Sequence, residues 1–143
     1  MKSRQAGVTL IELLTVVVVL GILASIAVPS YRSYLVRTNR TDAKSALMQV
    51  QAAEEKYFLQ YNKYTYDLTS AAPTGLGMSD LTANGYYTLS VKQRDKDEGG
   101  FIITATPTAQ GGQSSDDKCG YFTIDDRGAR GVQVAANAAT CWK

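Results

Sequence analysis

Between Val8 and Val28 the chain reads VTLIELLTVVVVLGILASIAV, twenty-one residues carrying one charge, the carboxylate of Glu12. As a helix this run rises about 31 Å at 1.5 Å per residue, matching a bilayer hydrocarbon core of about 30 Å. Leu, Ile and Val dominate it, and Gly21, Ala24, Ser25 and Ala27 are small residues that let another helix come close. A charged group placed in such a run costs about 2.5–3.5 kcal/mol on insertion scales and usually marks function. Glu12 therefore needs an explanation of its own.

The flanks do not supply it. Lys2 and Arg4 precede the run and Arg32, Arg37 and Arg40 follow it, so the positive-inside count gives no orientation. A secretory signal would end its apolar region in a small-residue cleavage site and carry no carboxylate within it; ASIAVPS imitates such a site poorly. A plain membrane anchor explains the length and leaves Glu12 as a pure cost. A cut placed before the run, at Gly7, keeps the helix in the mature protein and creates a cationic amine on Val8. An unpaired charge in an apolar setting is costly, and a carboxylate four residues on lies on the same helix face as that amine.

The segment GVTLIELLTVVVVLGILASIAVPSY resembles the class III signal and N-terminal helix of type IV pilins and pseudopilins. The resemblance implies that a prepilin peptidase cuts between Gly7 and Val8, and that Val8, where the family usually has phenylalanine or methionine, is then N-methylated. It implies that Glu12 meets the amine of a neighbouring subunit during assembly, and that Pro29 is the family's helix-bending proline. Three segments result: a leader over 1–7 that is removed, a transmembrane and filament-core helix over 8–29, and a head domain over 30–143. The implied partners are other pilin subunits, the prepilin peptidase, an inner-membrane assembly platform and the inner membrane itself. The implied location is a single pass through the inner membrane with the head in the periplasm, then the fibre at the cell surface.

Beyond Pro29 the residues Ala43, Ala46, Leu47, Val50, Ala53, Tyr57 and Tyr61 recur every three or four positions, an apolar stripe at helical period. The spacing predicts a helix to about Leu59, kinked at Pro29. RTNRTDAK, polar all round, is where that helix is expected to loosen. From Tyr61 to Gly85 the pattern gives way to Asn, Thr, Ser, Gly and Pro73, a long loop. YYTLSVKQ, GFIITATP, CGYFTID and the weaker ARGVQVA then read as strands, with RDKDEGG and DDRG as turns. The fold class is α+β: a long N-terminal helix packed on a four-stranded antiparallel sheet, the pilin fold. TDAKSALMQVQAAEEKYFLQYNKYTYDL and the ending CGYFTIDDRGARG…TCWK are similar to minor pilins of the PilE type.

Composition narrows the function further. The 143-residue chain has no histidine, which removes the commonest general base and the commonest metal ligand. Serines and threonines abound with no base beside them, so no enzyme and no cofactor is expected. Cys119 and Cys141 read as a disulfide if the chain is exported and as two buried thiols if it is not; in the family the resemblance names, two cysteines bracket the C-terminal region. Without Lys2 and Arg4, thirteen basic residues stand against thirteen acidic ones, so no nucleic-acid partner is expected, although Lys118, Arg127 and Arg130 could make a small local patch. Asp95–Gly100 has some positions of a calcium loop, but Thr106 stands where a bidentate glutamate is needed, so no metal is expected. Gly75-Leu76-Gly77 follows no strand and is loop. Asn39-Arg40-Thr41 matches a glycosylation sequon on a helix. The tyrosines 57, 61, 64, 66, 86 and 87 read as a core rim or as a contact surface. The resemblance implies a minor pilin serving pilus assembly, adhesion or twitching motility. The alternatives are a major pilin, a type II secretion pseudopilin and a DNA-uptake pilin.

Overall fold

The computed structural model describes residues 7–95 and 99–143. Most of the expected leader, with Lys2 and Arg4, and the centre of the DKDEGG turn lie outside the described residues. A single helix, α1, runs Leu10–Tyr61. Strands β1 (Tyr87–Asp95), β2 (Gly99–Pro107), β3 (Phe122–Asp125) and β4 (Arg130–Val132) follow, and a short helix α2 (Ala138–Cys141) closes the chain. Two compact units are present, one ending at Tyr34 and one running Leu35–Lys143.

In the first unit the apolar side chains face outward all round the helix: Val16, Val17, Val18, Val19 and Leu20 are each more than half exposed. This stretch is long and apolar enough to cross a membrane. Two of its hydroxyls are satisfied within the helix, Thr15 Oγ1 donating to Glu12 O (2.8 Å) and Ser25 Oγ to Ile22 O (2.7 Å), which suits an apolar solvent. Pro29 lies inside α1.

In the second unit α1 shows one face to a sheet. Ala43, Leu47, Val50 and Tyr57 are buried, spaced by three, four or seven residues. The sheet is an antiparallel meander in the order β1-β2-β3-β4. Alternate residues point to the helix side: Tyr87, Leu89 and Val91 from β1, Phe101, Ile103 and Ala105 from β2, Phe122 and Ile124 from β3, and Val132 from β4. The register aligns them, with Val91 opposite Ile103, Ile103 opposite Ile124 and Phe122 opposite Val132, so one continuous core forms.

Three expectations need correction. RTNRTDAK does not loosen the helix: α1 is continuous across it, because Arg40 and Ala43 are held by the head. The stripe passes through Glu54 where Ala53 was expected, Ala53 being only half-buried, and Tyr61 is 38% exposed. Cys119 precedes β3 rather than starting it, while Cys141, next to the end of the chain, sits in α2.

Candidate functional site

Three places in the molecule carry chemistry. The first is the start of α1. Residues 7–9 lie outside the helix, and a side chain built at Gly7 would meet nothing within 4 Å. Among the described residues nothing crowds that position. Val8 is 72% exposed and Glu12 is exposed. Leu13 N donates to Thr9 O (3.2 Å), the bond that opens the helix, and Glu12 N donates to Thr9 Oγ1 (3.3 Å). Thr9 is thus the N-cap and Glu12 the third helical residue, the T-x-x-E spacing of a capping box. The sequence spelled this out in TLIE, but the puzzle of a charge in lipid hides the cap.

The second place is where α1 is clamped to the head. Arg40 makes a two-pronged pair with Asp116, Nε to Oδ2 at 2.8 Å and the terminal nitrogen to Oδ1 at 2.7 Å; the Asp116 side chain is 1% exposed. Asp116 Oδ1 also accepts from Cys119 N (3.2 Å). The buried amide of Gln113 donates to Val36 O (3.2 Å) and to the Tyr87 hydroxyl (2.6 Å). Burial, with Asp116 nearby, pushes the Tyr87 hydroxyl well above the ordinary phenol range. Gln113 and Asp116 belong to the turn Gln110–Ser115 and its cap, whose Gly111 and Gly112 adopt left-handed backbone (φ 62° and 71°). Cys119 and Cys141 form a disulfide with Cα atoms 5.9 Å apart.

The third is a cluster of cations. Burial lowers the Lys44 ammonium pKa first, and the positive charges of Arg40, Arg130 and Arg37 lower it further. Arg40 is paired by Asp116, Arg37 and Arg130 are exposed, and Lys44 is half-buried. The Arg130 guanidinium lies over the Trp142 ring, 5.1 Å from its centroid. Lys44 Nζ donates to Lys143 O (2.7 Å), and Trp142 Nε1 to Gly131 O (3.0 Å), so the tail holds the patch in place. Arg130, one of the three cations expected to form a patch, acts on Lys44 of α1.

A family model described as "Type IV minor pilin ComP, DNA uptake sequence receptor" matches residues 29–123. The chain belongs to the type IV pilin family. A second model, "Prokaryotic N-terminal methylation motif", matches residues 2–28 of the pilin. The type IV major fimbrial protein FimA of Dichelobacter nodosus is 36% identical over 126 residues, covering 78% of this chain and 81% of that protein. The type IV major pilin protein PilE of Neisseria gonorrhoeae is 34% identical over 106 residues, covering 74% of this chain and 58% of that protein. The pilin thus spans a little over half the length of the Neisseria relatives it matches. A solved type IV pilin from Shewanella oneidensis aligns over 72% of this chain and 96% of that chain, with a TM-score of 0.48 and 25% identity.

One buried acid of this pilin has no counterpart in the sequence reading. Glu54 is fully buried under the loop that follows α1; its Oε2 accepts from Thr65 N (3.1 Å), and its Oε1 has no hydrogen-bond partner among the described residues. Burial raises its pKa to about 7, against the pull of the Thr65 N–H, and Glu55 raises it further. Around it the loop is tied by Tyr57 Oη to Pro73 O (2.6 Å) and Thr65 Oγ1 to Thr74 O (3.0 Å). The tyrosines divide: Tyr57 and Tyr87 are core, while Tyr61 and Tyr66 show 38% and 43% of their surface. AAEEKY offered no signal that the first glutamate faces inward and the second outward.

Proposed function

We propose that this pilin is a minor subunit of a type IV pilus. A prepilin peptidase removes residues 1–7, residues 8–29 hold the chain in the inner membrane with the head on the periplasmic side, and the subunit then joins the fibre. The observation that carries the minor assignment is the family model described as a minor pilin, which matches residues 29–123 and so the head up to the start of β3. The all-round apolar first unit supports both stages, since the same surface suits lipid and the apolar interior of a fibre.

Glu12 serves assembly. Insertion would be easier without it, so its place beside a freshly made amine fits a pair used after cleavage to fix one axial register. Glu12→Val is expected to insert and be cleaved normally yet enter sheared fibres poorly; wild-type incorporation would leave Glu12 with its capping position alone. The minor assignment is tested by the amount of this chain in sheared fibres relative to all other pilins, and dominance would make it a major pilin.

A second reading, DNA uptake, is favoured by the same family description together with the Arg37, Lys44 and Arg130 cluster. A near-neutral head can still hold a local patch that contacts phosphates. Gel shifts of the head with duplex DNA should weaken with salt at a log–log slope of about −0.9 per phosphate contacted. Removing the charge of Arg130 should reduce that slope by about one contact, and no shift at low salt would end this reading.

A further inference from the structure

We infer that Thr9 is a positioning residue for removal of the leader: by fixing where α1 begins, it keeps the Gly7–Val8 peptide in open backbone where a peptidase can reach it. This rests on the reading that the chain is cut at Gly7–Val8, and it adds to that reading a residue that is neither cut nor modified.

The geometry is local. The Thr9 carbonyl accepts the first helical bond, from Leu13 N, and the Thr9 hydroxyl accepts from Glu12 N. A helix leaves its first N–H groups without partners, and a threonine at the cap satisfies one of them, so its start is pinned to a residue. Val8 and Leu13 fall at the two positions of a hydrophobic staple, which fixes the entry of the chain into a helix. Upstream, residues 7–9 carry no helical structure. Gly7 disfavours extending the helix backward by about 0.5–1 kcal/mol. Cap and glycine therefore act from opposite sides of the same peptide bond.

The chemistry needs that bond open. Hydrolysis adds one water across the amide: hydroxide goes to the Gly7 carbonyl carbon, the C–N bond breaks, and the proton goes to the Val8 nitrogen. Were α1 to begin one turn earlier, the Gly7 carbonyl would accept the Ile11 N–H and the attacked carbon would sit among helical side chains. Proteolytic cuts fall in exposed, open segments for this reason. Glu12 accordingly has two separable attributes, a place in the cap before cleavage and a charge after it. Thr9 touches only the first.

The test uses the full chain in membranes with its peptidase, following in time the product that begins at Val8. Thr9→Ala and Thr9→Val remove the cap and should slow processing about fivefold, the worth of an ordinary N-cap. Thr9→Ser and Thr9→Asn restore a cap through differently shaped side chains and should process within about twofold of wild type. Amide exchange at Leu10–Glu12 in detergent-solubilised chain should be slower in Thr9→Ala, because a helix that begins earlier pairs those N–H groups, and unchanged in Thr9→Asn; faster exchange, the sign of a frayed start, would also overturn the inference. Wild-type processing of Thr9→Ala would overturn the inference. So would Thr9→Asn being as slow as Thr9→Ala with its exchange unchanged, since the peptidase would then be reading the hydroxyl itself. A wild-type product that does not begin at Val8 would instead defeat the cleavage reading, independently of any Thr9 variant.

Discussion

Residues 10–34 and 35–61 belong to one helix, α1, yet they are built for different surroundings. In the first stretch apolar side chains face every direction and none is buried; in the second, Ala43, Leu47 and Val50 are fully buried along one stripe while Met48 and Leu59 remain at the surface. The difference teaches where each stretch gets its stability. A helix segment apolar all round depends on lipid or neighbouring subunits, whereas an amphipathic one can be stabilised by its own chain.

That contrast can be broken by mutation. Phe101→Ala empties a fully buried ring site in the head and should cost about 3–5 kcal/mol in denaturant unfolding. Val18→Ala, in the first stretch, should leave the head's unfolding midpoint where it was. Equal losses from the two would mean that the stretches are not independently stabilised. Next in size, replacing Cys119 and Cys141 by serine should cost about 3 kcal/mol, the chain-entropy value for a loop of this length, and expose α2 to proteolysis. An unchanged midpoint would show that the hydrogen bonds of the tail suffice without the covalent link.

Asp116→Asn leaves the Arg40 guanidinium, itself only 12% exposed, without its anion and should cost about 2 kcal/mol. Amide exchange would locate the loss around residues 36–44 and 110–119; a loss spread evenly over the sheet would count against a local clamp. The smallest effect is a pH dependence. The Glu54 carboxyl is raised in the folded protein to about 7 from an ordinary 4.5, so the folded state binds the proton more tightly than the unfolded one. Head stability should therefore fall as pH rises from about 5 to 7.5, by an amount on the order of 1 kcal/mol, and Glu54→Gln should flatten that slope. A slope of opposite sign would mean that the buried carboxyl is held as the anion.

Much of this architecture was legible in the sequence because it rests on periodicity. The twenty-one-residue apolar run, the stripe of α1 and the four alternating strands each repeat a local pattern that one face of an element imposes. Gly7, Glu12 and the two cysteines stood out because each contrasts with its neighbours. What stayed hidden depends on contacts across the chain. Arg40 looked like part of a solvated polar stretch until Asp116 was seen beside it, and Arg130 gains its meaning from Lys44, which no spacing rule connects to it. Glu54 is the sharpest case: in AAEEKY its burial is decided by the loop that folds over it, through the N–H of Thr65.

The bonds gathered on Asp116 bear on how a subunit withstands tension. A tug on α1 at Arg40 passes through two charge-assisted hydrogen bonds to the Asp116 carboxylate, and from there along the backbone to Cys119 and the sulfur bridge. These links act in series, so the weakest sets the yield point, and the covalent one comes last. Gln113, gripping the Val36 carbonyl, works alongside them in parallel. Under strain the hydrogen bonds should slip and re-form before the bridge is stretched, which makes this corner of the head a mechanical fuse that resets.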